Sequence, residues 1–243
     1  MRLGLIGYGK MGKEVERLAI ERGWTIAARA DLTLPPCPLD AMKNADVAIH
    51  FASAKTLLSD LQRWAELKKN VVIGTTGWND QLGRVQTLAE QNGIGILYAA
   101  NFSLGVNIFY RLLHTAAGLF DHLTEYDVSV HEIHHKDKID SPSGTALQIA
   151  DILLQAIHRK TEVLAETSHT KIRPDQLHVT SSRVGAVIGQ HSVLFDSAAD
   201  SIELRHTAKN RTGMALGALL AAEWIQNKKG VFTITQMMED IFH

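Results

Sequence analysis

The sequence predicts an α/β protein in which a Rossmann-like dinucleotide-binding domain is followed by an α+β domain with a mixed or antiparallel sheet. Two observations predict the first domain: a glycine-rich loop follows the first apolar run, and strand-like and helix-like segments alternate as far as residue 102. One observation predicts the second: the last strand-like segments follow one another without helices between them. The chain has 243 residues, 45% of them hydrophobic, which suffices for one or two domains with a buried core.

The first half of the chain predicts a parallel sheet. Its strands are expected at 2–6, 25–30, 46–51, 70–73 and 94–99, with helices after the glycine loop, at 56–68 and at 80–92. Three prolines leave room for no more than a short helix within 32–45. Ligands of such sheets bind at the carboxyl ends of the strands. We therefore expect two further loops to meet the cofactor there, formed by Gly74, Thr75 and Thr76 and by Ala99, Ala100, Asn101 and Phe102. Taken alone, both loops are equally compatible with ordinary turn chemistry.

The glycine loop carries the cofactor prediction. Gly7, Tyr8, Gly9, Lys10, Met11 and Gly12 form a full G-x-G-x-x-G between a strand and a helix. Asp31 follows the second strand, where an acid accepts hydrogen bonds from the adenosine ribose. Leu32 stands where an arginine would help to hold a 2′-phosphate, so the sequence favours NADH mildly. Arg29 and Lys10 leave NADPH open.

The second half predicts fewer helices. A helix is expected at 107–120, a strand at 126–133, a helix at 146–158, a polar stretch at 159–176, strands at 178–184, 191–196 and 201–206, a buried helix at 215–225 and a final segment at 231–242. We expect residues 1–102 to bind the dinucleotide and 103–213 to bind substrate and form the oligomer. Residues 214–243 should pack back on the first domain.

Charge and composition exclude several classes of function. The formal net charge of −1 gives no reason to expect nucleic acid or an anionic membrane surface as partner. A single cysteine, Cys37, excludes an internal disulfide framework and fits a reducing compartment. The apolar run at 214–225 is too short to span a bilayer. The sequence predicts a soluble, cytoplasmic protein.

A dense group of ionisable residues precedes the helix at 146–158. Seven such side chains lie within 132–140, and a short turn then opens the helix with Ser143 or Thr145 as N-cap. A helix N-terminus presents free N–H groups and a partial positive charge, which suit a carboxylate. This stretch therefore predicts a site for an anionic substrate that also needs a proton.

A zinc motif is matched in letters only. Residues 131–135 read H-E-x-x-H, which binds zinc when a helix places both histidines one turn apart. This segment is predicted to be a strand, in which four residues separate His131 from His135 by about 13 Å. We therefore expect no metal site.

The chain resembles the 4-hydroxy-tetrahydrodipicolinate reductase (dihydrodipicolinate reductase) family of lysine and diaminopimelate biosynthesis. Three segments carry the resemblance: EIHHKDKIDSPSGTA at 132–146, GTTG at 74–77 and AANFSLGVN at 99–107. Weaker matches lie at 183–185 with 189–191, and at 203–206. The glycine loop is one residue shorter than the family's commoner form. The abbreviated connection 32–45 lacks the arginine that members using NADPH often carry after the acid, so cofactor preference stays open.

The resemblance implies reduction of a cyclic dicarboxylate with a conjugated C=N by hydride from NADH or NADPH. It places the general acid at His134, and an imidazole with its ordinary pKa of about 6.5 can supply a proton at neutral pH. It places Lys138 beside His134 as a second donor and a cation. It also implies that His135, Ser143, Gly144 and Thr145 bind the substrate, and that a homotetramer forms through the sheet of the second domain.

Two other functions stay open at this point. One is a non-catalytic sensor that binds NADH and a dicarboxylate, although anion binding alone does not require two imidazoles. The other is a dehydrogenase acting on a different carbonyl or imine. Read singly, the histidine pair is typical of a surface pair and Lys138 of a solvated charge, so the prediction depends on their conjunction with the nucleotide fold.

Overall fold

The computed structural model describes residues 1–242, and the chain divides into two compact units. Unit 1 comprises Met1–Leu104 together with the C-terminal segment from Arg211, and unit 2 comprises Gly105–Asn210. The predicted fold class is confirmed, because unit 1 contains a six-stranded parallel sheet and unit 2 a five-stranded mixed sheet. Among the helices described, none is long and apolar enough to cross a membrane.

The sheet of unit 1 has the order β11-β5-β4-β3-β1-β2. Its strands are β1 (Arg2–Ile6), β2 (Thr25–Ala30), β3 (Val47–His50), β4 (Asn70–Ile73), β5 (Gly95–Tyr98) and β11 (Gly230–Thr233). All neighbouring pairs are parallel. The strand order reverses between β1 and β3, which is where doubly wound sheets bind their ligands.

Helices cover both faces of this sheet. They are α1 (Lys10–Glu21), α2 (Leu39–Asn44), α3 (Leu57–Glu66), α4 (Leu82–Asn92), α7 (Thr212–Trp224) and α8 (Ile234–Phe242), and a single 3₁₀ turn, Asn79–Gln81, precedes α4. One core joins α1, α7 and α8 to strand residues such as Leu5, and the other joins α2, α3 and α4 to strand residues such as Ile6. Successive side chains of β1 thus enter different cores, so the strand is apolar after the exposed Arg2.

Unit 2 packs two helices on one face of its sheet. Its elements are α5, which begins at the unit boundary (Leu104–Asp121), β6 (Asp127–His134), α6 (Gly144–Ala156), β7 (Glu162–Leu164), β8 (Gln176–Arg183), β9 (Gly189–Asp196) and β10 (Ser201–Ala208). The order is β10-β9-β6-β8-β7. β6 runs antiparallel to β9 and parallel to β8. The core joins sheet residues such as Val130 and Phe195 to Leu113 of α5 and Leu153 of α6.

Two strands were not expected. β7 lies within the stretch at 159–176, which was predicted only to be polar, and β11 opens the final segment. Each has three or four residues and pairs along one side only, with β8 and β5 respectively. Strands this short carry too little alternation to be recognised in a sequence.

Candidate active site

The glycine loop joins β1 to α1 with two closely packed glycines and one open glycine. A Cβ on Gly7 would lie 2.5 Å from the carbonyl oxygen of Phe51, and one on Gly12 would lie 2.2 Å from that of Gly7. Gly7 also has a φ of +89°, which favours glycine. A Cβ on Gly9, by contrast, would meet no atom of the described residues within 4 Å. Gly9 is the N-cap of α1, and no side chain of the described residues makes a capping hydrogen bond there. The helix N-terminus can therefore accept an anion.

Asp31 fixes the loop from the end of β2. Its carboxylate accepts the Tyr8 N–H at 2.6 Å and both the N–H and the hydroxyl of Thr33. These hydrogen bonds, led by the Thr33 hydroxyl, lower the pKa of Asp31. The carboxylate is therefore negative at neutral pH and close to the loop, as ribose recognition requires.

Arg29, which could have held a 2′-phosphate, is already engaged. Its guanidinium donates two hydrogen bonds to Glu16 of α1, at 2.9 and 2.7 Å. This bidentate geometry is the strong form of an arginine–carboxylate pair. Leu32 is 93% exposed, next to the acid.

The two loops after β4 and β5 lie at the same edge of the parallel sheet as the glycine loop, because all three follow the carboxyl ends of strands. A Cβ on Gly74 would lie 2.0 Å from the Phe51 ring, and Thr75 is buried while Thr76 is exposed. After β5, Phe102 is buried edge-on against Phe51, with 6.3 Å between ring centroids.

A buried histidine holds the Thr75 loop from beneath. His50 ends β3 and is fully buried; its Nδ1 lies 2.6 Å from Thr75 Oγ1, and its Nε2 lies 3.3 Å from Asp60 of α3. The indole of Trp78 donates to the Thr75 carbonyl at 2.7 Å. The loop is thus fixed on two sides, and the open glycine, the free helix N-terminus and the ribose acid together fit a dinucleotide.

In unit 2, the face of β6 that packs into the core also carries two residues of the predicted substrate site. Val128 and Val130 point into the core, and Glu132 and His134 continue the same face and are buried. His131 faces the other side, where its Nδ1 lies 2.7 Å from Thr180 Oγ1 of β8. The predicted strand geometry is confirmed, so His131 and His135 do not share a helix turn.

Glu132 is the centre of this group. Its Oε1 accepts the Ser143 N–H at 3.0 Å, the Ser181 hydroxyl at 2.8 Å and the Arg183 guanidinium at 2.9 Å. Its Oε2 lies 3.1 Å from Nδ1 of His134 and 3.6 Å from Nε2 of His191. Burial would raise the pKa of Glu132, but hydrogen bonds from these partners outweigh it and hold the pKa well below its usual range.

His134 is neutral in this arrangement. Burial lowers its pKa to about 4, and the negative charge of Glu132 offsets only part of that shift. His191, Lys138 and Arg183 lower it further through their charges. The ring is confined on its other edge by Gly189, since a Cβ there would lie 3.0 Å from Nε2.

Lys138 and the start of α6 both contact the carboxylate of Asp140. The Lys138 ammonium donates to the Asp140 carboxylate at 2.7 and 3.0 Å, and the Gly144 N–H also supports that carboxylate. Ser143 is the N-cap of α6, and its hydroxyl accepts the Ala146 N–H. Gly144 is exposed, and a Cβ there would meet no atom of residues 1–242 within 4 Å.

The remaining predicted residues of unit 2 lie at the same strand end and helix start. His135 is half-exposed directly after β6. Thr145 is half-buried in the first turn of α6 and hydrogen-bonds Tyr110 of α5, whose pKa burial raises to about 12. A phenol with that pKa stays protonated at neutral pH, so Tyr110 donates or accepts hydrogen bonds as a neutral group.

One group of side chains has the composition of a metal site. Glu132, His134 and His191 each present a ligand atom, all within 4.8 Å of one another. The Glu132 carboxylate already forms an ion pair with Arg183 at 2.9 Å, so a divalent cation bound to it would lie beside a guanidinium. That repulsion disfavours metal binding here.

Several residues of this group were missed from the sequence. Arg183 and His191 occurred only in the weaker motif matches, and Ser181 gave no signal. In the sequence, Glu132 is only one of seven neighbouring ionisable residues. Its two-residue spacing from His134 on a predicted strand nevertheless places both side chains on one face.

Comparisons with known proteins agree along the chain. A family model described as dihydrodipicolinate reductase, C-terminus, matches residues 105–238, and one described as dihydrodipicolinate reductase, N-terminus, matches residues 30–102. A 4-hydroxy-tetrahydrodipicolinate reductase of Christiangramia forsetii is 36% identical over 242 residues, which cover 100% of this chain and 99% of the relative. The enzyme of the same name from Neisseria meningitidis serogroup C is 32% identical over 228 residues, covering 92% and 83%.

Solved structures show the same fold. A dipicolinate-bound dihydrodipicolinate reductase from Paenisporosarcina sp. TG-14 has a TM-score of 0.79 at 23% identity, covering 96% of this chain and 97% of that one. An amine dehydrogenase from Mycobacterium smegmatis has a TM-score of 0.61 at 12% identity, covering 95% and 94%. At these identities the similarity concerns the fold alone.

Proposed function

The chain belongs to the 4-hydroxy-tetrahydrodipicolinate (dihydrodipicolinate) reductase family, the oxidoreductases of lysine biosynthesis, and from this premise we propose which residues carry the reaction and which cofactor it prefers. The observation that carries the proposal is the burial of one imidazole, His134, at the end of β6, against the Glu132 carboxylate, which also accepts a hydrogen bond from the start of α6.

The dinucleotide is held by unit 1 in this proposal. The residues from Gly7 to Gly12 (Gly7, Tyr8, Gly9, Lys10, Met11 and Gly12) would hold its pyrophosphate, and Asp31 would accept hydrogen bonds from the ribose hydroxyls. Residues 74–76 and 99–102 line the remainder. The bound nicotinamide supplies hydride to the conjugated C=N of the substrate.

The substrate is held by unit 2. Its carboxylate takes hydrogen bonds from Ser143, Gly144 and Thr145 at the start of α6, where the helix N-terminus favours negative charge. His135 donates a further hydrogen bond. Hydride addition leaves an enamine-like anion, which must be protonated, and His134 donates that proton. Lys138 stabilises the negative charge that develops in the transition state.

His134 must gain its proton when the substrate binds. With its pKa lowered to about 4, the imidazole of the free enzyme is neutral near pH 7. Two substrate carboxylates beside it raise that pKa, because a nearby negative charge favours the imidazolium. Substrate binding therefore takes up a proton, which the reaction then consumes.

NADH is the proposed preferred cofactor. The negative Asp31 lies where a 2′-phosphate would bring further negative charge, and the Arg29 guanidinium is held by Glu16. We expect kcat/KM to be higher with NADH than with NADPH. Glu16→Gln weakens the hold on Arg29 and should narrow that ratio, whereas a higher kcat/KM with NADPH in the wild type would contradict the proposal.

A coupled assay tests the reaction. The preceding synthase generates the substrate from pyruvate and aspartate semialdehyde, and absorbance follows NADH oxidation. His134→Gln should lower kcat by a factor of roughly 100 or more, as loss of a general acid does, and Lys138→Ala should lower turnover heavily; both should leave NADH binding in place. His131→Gln is the matched control, because this histidine lies on the opposite face of the same strand. Near-wild-type turnover in both site variants would overturn the assignment of roles.

A homotetramer is the proposed assembly, formed through the outer face of the unit 2 sheet. The support is that α5 and α6 cover the other face, while Leu194 of β9 is 39% exposed on this one. Sedimentation equilibrium should give four times the chain mass of 26.8 kDa. A monomer at micromolar concentration would refute the tetramer but would not affect the proposed catalytic roles.

A further inference from the structure

Glu132 is a fully buried carboxylate with its two oxygens used differently. Oε1 is saturated by three donors from two elements: the N-cap of α6 and two residues of β8. Oε2 lies between the rings of His134 and His191, and no aligned hydrogen bond to it exists within residues 1–242. One buried oxygen is thus left facing two imidazoles.

The same is true of the facing nitrogen. Nδ1 of His134 is buried, lies 3.1 Å from Oε2 of Glu132 and has no aligned partner among the residues described. In ligand-free sites such contacts are commonly misaligned and tighten in the complex. Nε2, at the other edge of the ring, lies beside Gly189.

We propose that Glu132 is a positioning residue for the proton transfer: it holds the His134 ring with Nδ1–H towards Oε2, leaves Nε2 to exchange the proton with substrate, and supplies the negative charge that the imidazolium needs. The inference rests on the proposed role of His134 as general acid. A carboxylate that fixes the tautomer and supports the imidazolium is a general device of imidazole catalysis.

The charges around His134 show why one carboxylate matters so much. Four ionisable side chains from three strands and a loop act on the ring: Glu132, His191, Lys138 and Arg183. Glu132 alone of these favours the protonated ring, and the other three oppose it. Without Glu132, the ring would be left among positive neighbours and would hold a proton less readily.

Glu132 also ties the proton donor to the substrate-binding turn. The same carboxylate accepts the backbone N–H of Ser143, whose hydroxyl lies 3.3 Å from Nε2 of His191. The ring of His134 and the N-terminus of α6 are therefore positioned by one side chain. A shift of Glu132 would move both.

The first measurement uses the wild-type protein without substrate. Two-dimensional ¹H–¹⁵N NMR of the histidine rings, with His134 assigned by its loss in His134→Gln, gives the tautomer of the neutral ring. We expect protonation at Nδ1, and a ring protonated at Nε2 would overturn the proposal. This result does not depend on turnover, so it stands apart from a failure of the proposed reaction, which would show as a wild-type enzyme that does not oxidise NADH.

The second measurement compares variants in the coupled assay. Glu132→Gln should lower kcat by a factor of roughly 10 to 100, because a catalytic group held slightly out of place loses rate on that scale. It should move the alkaline limb of the kcat–pH profile to lower pH, because the acid loses its proton more easily. The KM for NADH should change little. Glu132→Asp keeps the charge and should restore part of kcat.

Ser181→Ala is the matched control, since it removes one hydrogen bond from Oε1 and leaves Oε2 in place. An alkaline limb that moves in Glu132→Gln but not in Ser181→Ala supports positioning. Equal movement in both variants, or an unmoved limb in Glu132→Gln, would overturn it. Should Glu132→Gln fail to fold, the tautomer of the wild-type ring and the limb of Glu132→Asp decide the question.

Discussion

Acidification should destabilise this protein through one identified histidine. A histidine whose folded pKa lies below its unfolded value binds fewer protons when folded. Its contribution to stability is complete above the unfolded pKa and is lost as the pH falls towards the folded one. For His134 that window runs from 6.5 down to about 4.

The size of the effect follows from those two values. At about pH 5 an unfolded histidine is almost fully protonated, whereas His134 in the folded chain is mostly neutral. Proton linkage then removes about 2 kcal/mol from the free energy of unfolding relative to pH 7.5. The side chain is only 9% exposed, so solvent screening takes little from this figure.

The assay compares the wild type with His134→Gln by urea unfolding at both pH values. All four tryptophans lie in unit 1, so fluorescence follows that unit, and far-UV circular dichroism follows both. The pKa of His206, which burial also lowers, is shared by the two proteins and cancels in the comparison. The wild type should lose about 2 kcal/mol more than the variant between the two conditions. Equal losses would refute the assignment of a depressed pKa to His134.

Three further outcomes are expected. Gly189→Ala places a Cβ 3.0 Å from Nε2 of His134 and should lower kcat about tenfold or more, because the ring is displaced. Gly118→Ala is its control, since a Cβ there lies in open space on α5. Equal kcat values in the two variants would contradict the prediction. His50→Gln disturbs the 2.6 Å contact that holds Thr75 and should raise the KM for NADH about fivefold while kcat changes less; steady-state kinetics with a full NADH titration decides this, and an unchanged KM would count against it. Binding of dipicolinate at about pH 7 should take up close to one proton in the wild type and fewer in His134→Gln, as calorimetry in buffers of different ionisation enthalpy would measure; equal uptake in both would exclude His134 as the acceptor.

The fold was largely predictable because its strongest signals are local. The glycine loop can be recognised from a dozen consecutive residues, and β6 from the alternation of Val128 and Val130 with polar neighbours. Such patterns are set by backbone geometry and survive without tertiary information. The short edge strands β7 and β11 depend instead on the strands they pair with, which the local sequence does not specify.

The candidate site divides along the same line. The strand predicted at 126–133 ends one residue later, at His134, and of the two N-cap candidates, Ser143 and Thr145, the structure has Ser143. The central position of Glu132 does not follow, because its partners Ser181, Arg183 and His191 come from strands about 50 to 60 residues later in the chain. A carboxylate that gathers donors from three elements can be recognised only when those elements are folded together.

In the proposed mechanism, the charges around His134 determine when the ring carries its proton. Near His134, Lys138 and Arg183 lower the pKa of the ring and Glu132 raises it, while Lys138 is itself paired with Asp140. Burial is the main reason that the imidazole of the free protein is neutral, and the positive side chains lower its pKa further. Once two carboxylates have entered, the balance turns negative and favours the imidazolium. In this proposal, substrate binding therefore supplies the negative charge that protonates His134, and Glu132 holds the ring in place for the transfer.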